Sequence, residues 1–149
     1  MKRKTLLLLS LCALLVLLGF TSCIDEGSAF CVGEWAVEKV EYYTADIYGN
    51  PIEGSVDETF FVVGNDRGIH FIFEEGGGGS IVDYDDNMVT LFGYEYDSYD
   101  NLLYLTLQGD NIPLCLEVDR YGIYRWSYKN VMEANRVEKT YLVKMLQRR

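Results

Sequence analysis

Apolar and polar residues alternate along most of the chain beyond residue 33, with the period of two that marks half-buried strands. Residues 33–43 open the series. Trp35 and Val37 share a face, while Val40 and Tyr42 fall out of step by one residue, which predicts a bulge near Glu38-Lys39. Tyr48-Gly49-Asn50-Pro51 is a turn signal, and a short strand is expected at 59–63 before Gly64-Asn65-Asp66-Arg67-Gly68 breaks it. Residues 69–74 set Ile69, Phe71 and Phe73 against His70, Ile72 and Glu74, so His70 reads as a partly exposed strand residue. Gly76 to Gly79 read as a flexible hairpin, because glycine alone adopts such backbone freely. Further strands are expected at 80–85, 88–97, 102–108, 112–119, 123–129 and 139–147, with turns at 98–101, 109–111 and 120–122. Residues 130–138 read as a loop with one helical turn around Met132-Glu133-Ala134. No long stretch keeps a helical period. Eight strands joined mostly by tight hairpins predict an all-β, eight-stranded antiparallel up-and-down β-barrel, whose closure removes exposed edges.

The start of the chain follows a different pattern. Lys2, Arg3 and Lys4 precede an apolar run from Leu6 to Phe20, too short for a good membrane span. The run closes in Phe20-Thr21-Ser22-Cys23, which resembles the lipobox of a bacterial lipoprotein signal. That resemblance implies cleavage before Cys23, which becomes the lipid-bearing first residue, with palmitate among the expected fatty acids. The implied organisation is a signal peptide at 1–22, a lipidated tether at 23–32 and a barrel domain at 33–149. Ile24-Asp25-Glu26 resembles the acidic export tag of lipoproteins displayed on Bacteroidetes-type outer membranes. The expected location is therefore the outer membrane, held by the N-terminal lipid and facing the periplasm or the cell surface.

Charge narrows the partners. Without the first 22 residues, 10 basic and 23 acidic side chains remain, a formal −13. A nucleic-acid partner is not expected, since phosphate binding needs a basic patch. The charge is also uneven: 21 acids and two bases lie between Asp25 and Asp119, against eight bases and two acids from Arg120 onward. An acidic first strand paired with a basic last strand accounts for this, as cross-strand opposite charges do. A functional electrostatic face is the other reading.

Candidate chemistry is sparse. Cys12 leaves with the signal and Cys23 carries the lipid, so the sequence admits one disulfide, between Cys31 and Cys115. With His70 the sole histidine, no metal site is expected. The aspartates of the Asp83-Tyr84-Asp85-Asp86-Asn87 turn fit calcium-loop spacing poorly, and read better as residues that hydrogen-bond their own backbone. The glycine run lacks the Lys-Ser/Thr and the helix that a phosphate loop needs. No catalytic residue and no cofactor is expected.

Gly33-Glu34-Trp35 at the start of the first strand, eight antiparallel strands and a basic residue near the end resemble the lipocalin-like fold. More closely, the chain is similar to small lipocalin-like lipoproteins of Bacteroidetes, through Cys23, Gly33, Trp35, Gly76 to Gly79, and Leu146 with Arg148. In such barrels Trp35 would plug one end, and Arg148 would lie over its indole as a cation–π lid. The chain lacks the long helix that classical lipocalins place before their last strand.

Twelve tyrosines, seven phenylalanines and two tryptophans supply the remaining clue. Tyr94, Tyr96, Tyr124, Trp126 and Tyr128 are the candidate lining for a small apolar or sugar-like ligand; packed aromatics filling the barrel are the alternative. The expected function is a non-enzymatic lipoprotein binding a small hydrophobic or glycan-derived ligand in or at the mouth of the barrel. The alternative is a protein-interaction or inhibitor module, with a filled barrel and an acidic surface that docks an envelope protein.

Overall fold

The structure, a computed structural model, describes residues 30–146. The lipobox, Cys23 and Arg148 lie outside the described residues. Nine strands follow one another: β1 (Gly33–Thr44), β2 (Asp57–Phe60), β3 (Ile69–Phe73), β4 (Gly78–Asp83), β5 (Met88–Asp97), β6 (Leu102–Leu107), β7 (Asp110–Val118), β8 (Tyr124–Val131) and β9 (Arg136–Lys144). From β3 to β9 each strand pairs antiparallel with the next, and β1 pairs with both β3 and β9. Those eight strands form a closed antiparallel barrel. β2 is additional. It lies on the edge of β1 that β3 occupies further along: β3 pairs Gly33 to Ala36, and β2 pairs Lys39 to Tyr42.

The bulge falls where the parity break placed it, between Val37 and Lys39. It lets Trp35 and Val37 face inward and still brings Val40 inward further on. Aromatic and leucine side chains from every barrel strand except β4, which supplies Ile81, meet inside. Trp35, Leu103, Leu114, Trp126 and Leu142 are fully buried, and Phe71, Phe73, Phe92 and Leu105 nearly so. Each contributes roughly 1.5–3 kcal/mol on leaving water. Gly79 makes room for this packing. A Cβ there would lie 2.4 Å from the Ile72 carbonyl oxygen and 2.5 Å from the Phe92 ring.

One end of the barrel is sealed where the chain enters. Phe30 stacks edge-on against Trp35 at 5.7 Å and Tyr124 at 5.4 Å. The Trp35 indole N–H donates to the Cys31 carbonyl at 2.8 Å. Lys144 donates to the Phe30 carbonyl at 3.0 Å, and its ammonium sits 5.5 Å from the Trp35 ring. Within the described residues, the cation over Trp35 is therefore Lys144.

Several boundaries differ from the alternation. β9 begins at Arg136 rather than 139, because Val137 pairs with Tyr43 and is buried beside it and Ala45. The expected loop at 130–138 shrinks to a single 3₁₀ turn at Glu133–Asn135. β4 starts within the glycine run, at Gly78. β7 starts at Asp110, since Gln108 and Gly109, both at positive φ, make the tight turn by themselves. β2 ends at Phe60, which leaves Phe61, Val62 and Val63 beyond it.

His70 is a correction. It faces outward yet is fully buried. The Tyr84 ring packs edge-on against it at 4.9 Å. Its Nδ1 meets the Glu34 carboxylate and its Nε2 lies 3.0 Å from the Arg67 carbonyl. Outward direction in a strand does not mean exposure when a loop folds back over the wall.

Candidate functional site: a cleft on the outer wall

A cleft of about 570 Å³ lies outside the barrel. It runs between Phe60 of β2 and the β7–β8 hairpin, with its floor made by outward residues of β1, β8 and β9. The register sets this floor. Past the bulge, Lys39 stands opposite Tyr141 and Glu41 opposite Lys139, so all four share the outer face. Expected pairing of acidic β1 with basic β9 thus occurs, and charges from β7 and β8 join it.

Arg125 links distant strands. Its Nε lies 2.5 Å from Glu38 Oε2, its Nη2 3.3 Å from Glu38 Oε1, and its Nη1 2.7 Å from Asp119 Oδ2. The bond to Glu38, with that to Asp119, holds the guanidinium well above its ordinary pKa. Backbone N–H groups of Ile123 and Tyr121, with Arg125, hold the Asp119 carboxyl below its ordinary range. Lys39 bonds Glu41 at 2.7 Å and Glu58 at 3.0 Å. Burial pulls its pKa down, but these two carboxylates outweigh burial and raise it. Burial pushes Glu41 up, yet bonds from Lys39 and Tyr141 leave it below its ordinary value. Lys139 bonds Glu117 at 2.5 Å, and Glu117 also accepts from Ser127.

Tyr141 sits between two ammonium groups, with Lys39 at 4.5 Å and Lys139 at 4.7 Å from its ring centre. Its hydroxyl donates to Glu41 at 2.7 Å. Burial first, and this bond second, push the phenol far up its range. Groups so shifted do not exchange protons near neutral pH. What the cleft presents is a neutralised ionic floor and an apolar rim, where Phe60, Val118 and Tyr121 are all more than half exposed.

No known family model, curated protein or solved structure matches this chain.

The five aromatics expected to line a ligand site lie elsewhere. Tyr94, Tyr96, Trp126 and Tyr128 belong to the packed interior. Tyr94 donates to the Glu74 carbonyl at 2.5 Å and Tyr96 to Asn101 Oδ1 at 2.8 Å. Tyr128 packs at 6.0 Å from Phe71, and Tyr124 stands half exposed at the sealed end beside Phe30. The Trp126 indole N–H is buried with no hydrogen-bond partner. Cys31 is buried in the interior, while Cys115 is exposed on β7, and no disulfide joins them. The two face opposite sides of the wall.

Among the described residues, no three His, Cys, Asp or Glu side chains group so as to hold a metal ion. Asp83 accepts the backbone N–H groups of Asp85 and Asp86, and Asp46, Asp97 and Asp119 fold their own turns likewise. Sequence reasoning missed the cleft residues Glu38, Glu117, Asp119 and Arg125. The charge asymmetry was the signal that pointed towards them.

Proposed function

We propose that this chain is a lipid-anchored, non-enzymatic binding module of the outer membrane, in which the barrel is a scaffold and partners dock on the outer wall. The filled interior carries this reading: side chains from Trp35 through Trp126 to Leu142 meet across the barrel, and a cleft of about 570 Å³ lies outside it. The cleft also supports binding over catalysis, because its charges are paired and its shifted groups are held away from neutral pH. The resemblance to lipocalin-like lipoproteins agrees with a barrel behind a tether, and the lipobox supports the anchor.

A second reading, a carrier with a ligand inside the barrel, draws on the unpartnered Trp126 N–H, which a ligand oxygen would satisfy.

Native mass spectrometry of the full chain, extracted from envelopes, separates the two. The expected result is the mass of the lipidated protein alone. A discrete added mass that leaves on denaturation would favour the carrier. Labelled palmitate tests the anchor in the same cells: incorporation is expected to vanish in Cys23→Ala, and label that persists there would remove the lipid from the reading.

A further inference from the structure

Closure of the barrel removes every edge from its eight strands, and β2 puts one back. β2 and β3 lie in line along one edge of β1. β4 covers β3 alone, ending with Asp83 opposite Ile69 before the chain turns into β5. Beside β2 the wall has no next strand. The pairing also fixes which backbone groups face that gap. The Phe61 N–H bonds the Glu38 carbonyl, so Thr59 turns its N–H and C=O to β1, while Glu58 and Phe60 turn theirs to the open side.

The side chains here are unusual for an edge. Phe60, Phe61, Val62 and Val63 run consecutively and all are exposed, Phe60 at 68% and Val62 at 73%. Natural edges are commonly blunted with charge or proline, because such a strip recruits other strands. Charge stands only at the ends of the strip. Asp57 and Glu58 lie before it, and Asp66 and Asp85 flank the groove of about 430 Å³ that Phe61 and Val62 line. Arg67 is the base in that groove, and Lys39 is engaged with Glu41 and Glu58.

We propose that the open edge of β2 accepts an extended segment of a partner protein, with apolar residues at its centre and lysine or arginine at both ends, which adds as a strand beside β2. This rests on reading the outer wall as the docking face, and names the partner's chemistry. Main-chain bonds to Glu58 and Phe60 supply register; the apolar strip and the acidic banks supply preference. A second copy fits less well. Its own strip is bounded by Asp57 and Glu58 on one side and Asp66 on the other, so its ends carry the same charge as the banks they would meet.

The test is a displayed library of random ten-residue peptides panned on the full chain, with Phe60→Pro as counter-selection. Proline at 60 removes a donor that faces the gap and leaves the β1 pairing intact. Expected are peptides with alternating apolar centres and basic ends, whose synthetic versions bind Phe60→Pro about tenfold or more weakly, the loss of main-chain hydrogen bonds. A second variant, Asp66→Lys with Asp85→Lys, is expected to shift selection to acidic ends. Enrichment that ignores both variants overturns the proposal. A wild-type dimer that Phe60→Pro makes monomeric assigns the edge to a second copy and also overturns it. Either result is independent of whether the barrel holds a ligand, which native mass spectrometry decides.

Discussion

The inside and the outside of the same wall are built on opposite plans. Inside, Trp35, Phe73, Leu114 and Leu142 are buried, and shape decides what fits. Outside, between Phe60 and Tyr121, carboxylates and cations pair with each other while large apolar side chains stand in water. Apolar burial supplies stability; paired surface charge supplies little of it. The outer wall is thus the part of this molecule least explained by folding, and so the part where function is to be sought.

That division predicts a gradient of mutational cost. Trp35→Ala, at the sealed end, is expected to destabilise by about 3–5 kcal/mol in urea unfolding. An unchanged midpoint would mean that the indole does not anchor the interior. Gly79→Ala forces a methyl against the Ile72 carbonyl and the Phe92 ring, and about 1–3 kcal/mol is expected from overpacking. On the outer wall, Arg125→Met is expected to cost about 1 kcal/mol or less. A loss as large as that of Trp35→Ala would collapse the distinction between the two faces.

The smallest effect is read by pH. Glu41 titrates below its ordinary 4.5 in the folded protein, so near that pH the unfolded chain binds more protons. Its contribution is complete above about pH 4.5 and fades as pH falls through the lowered value. Melting temperatures of wild type and Glu41→Gln are expected to differ at pH 7 and to converge on acidification. Curves that stay parallel would show that Lys39 and Tyr141 do not stabilise the ionised form.

Much of the inner plan was legible in the sequence. β5 spans the residues that its alternation marked, because Phe92, Tyr94 and Tyr96 keep strict period two. The β1 bulge was legible as a parity break, since one extra residue flips every later side chain. The outer plan was far less so. Phe61, Val62 and Val63 have strand composition and therefore drew the expected strand three residues too far, although β2 ends at Phe60. Arg125 and Glu38 are 87 residues apart, and no local pattern joins them. His70 was misplaced for a similar reason: its cover comes from Tyr84 and the Arg67 carbonyl, which period two does not register.

The sealed end also has a mechanical meaning. Tension arriving at Phe30 from the preceding residues passes to Cys31 and Trp35, then along β1, where Lys144 and the indole bond share the first load. Beyond them β1 is zipped to β9 from Trp35 to Thr44, and those bonds lie across the direction of pull. Detaching β1 lengthwise would load the whole ladder in shear rather than peel it rung by rung. A domain pulled by its first residues would gain from that arrangement.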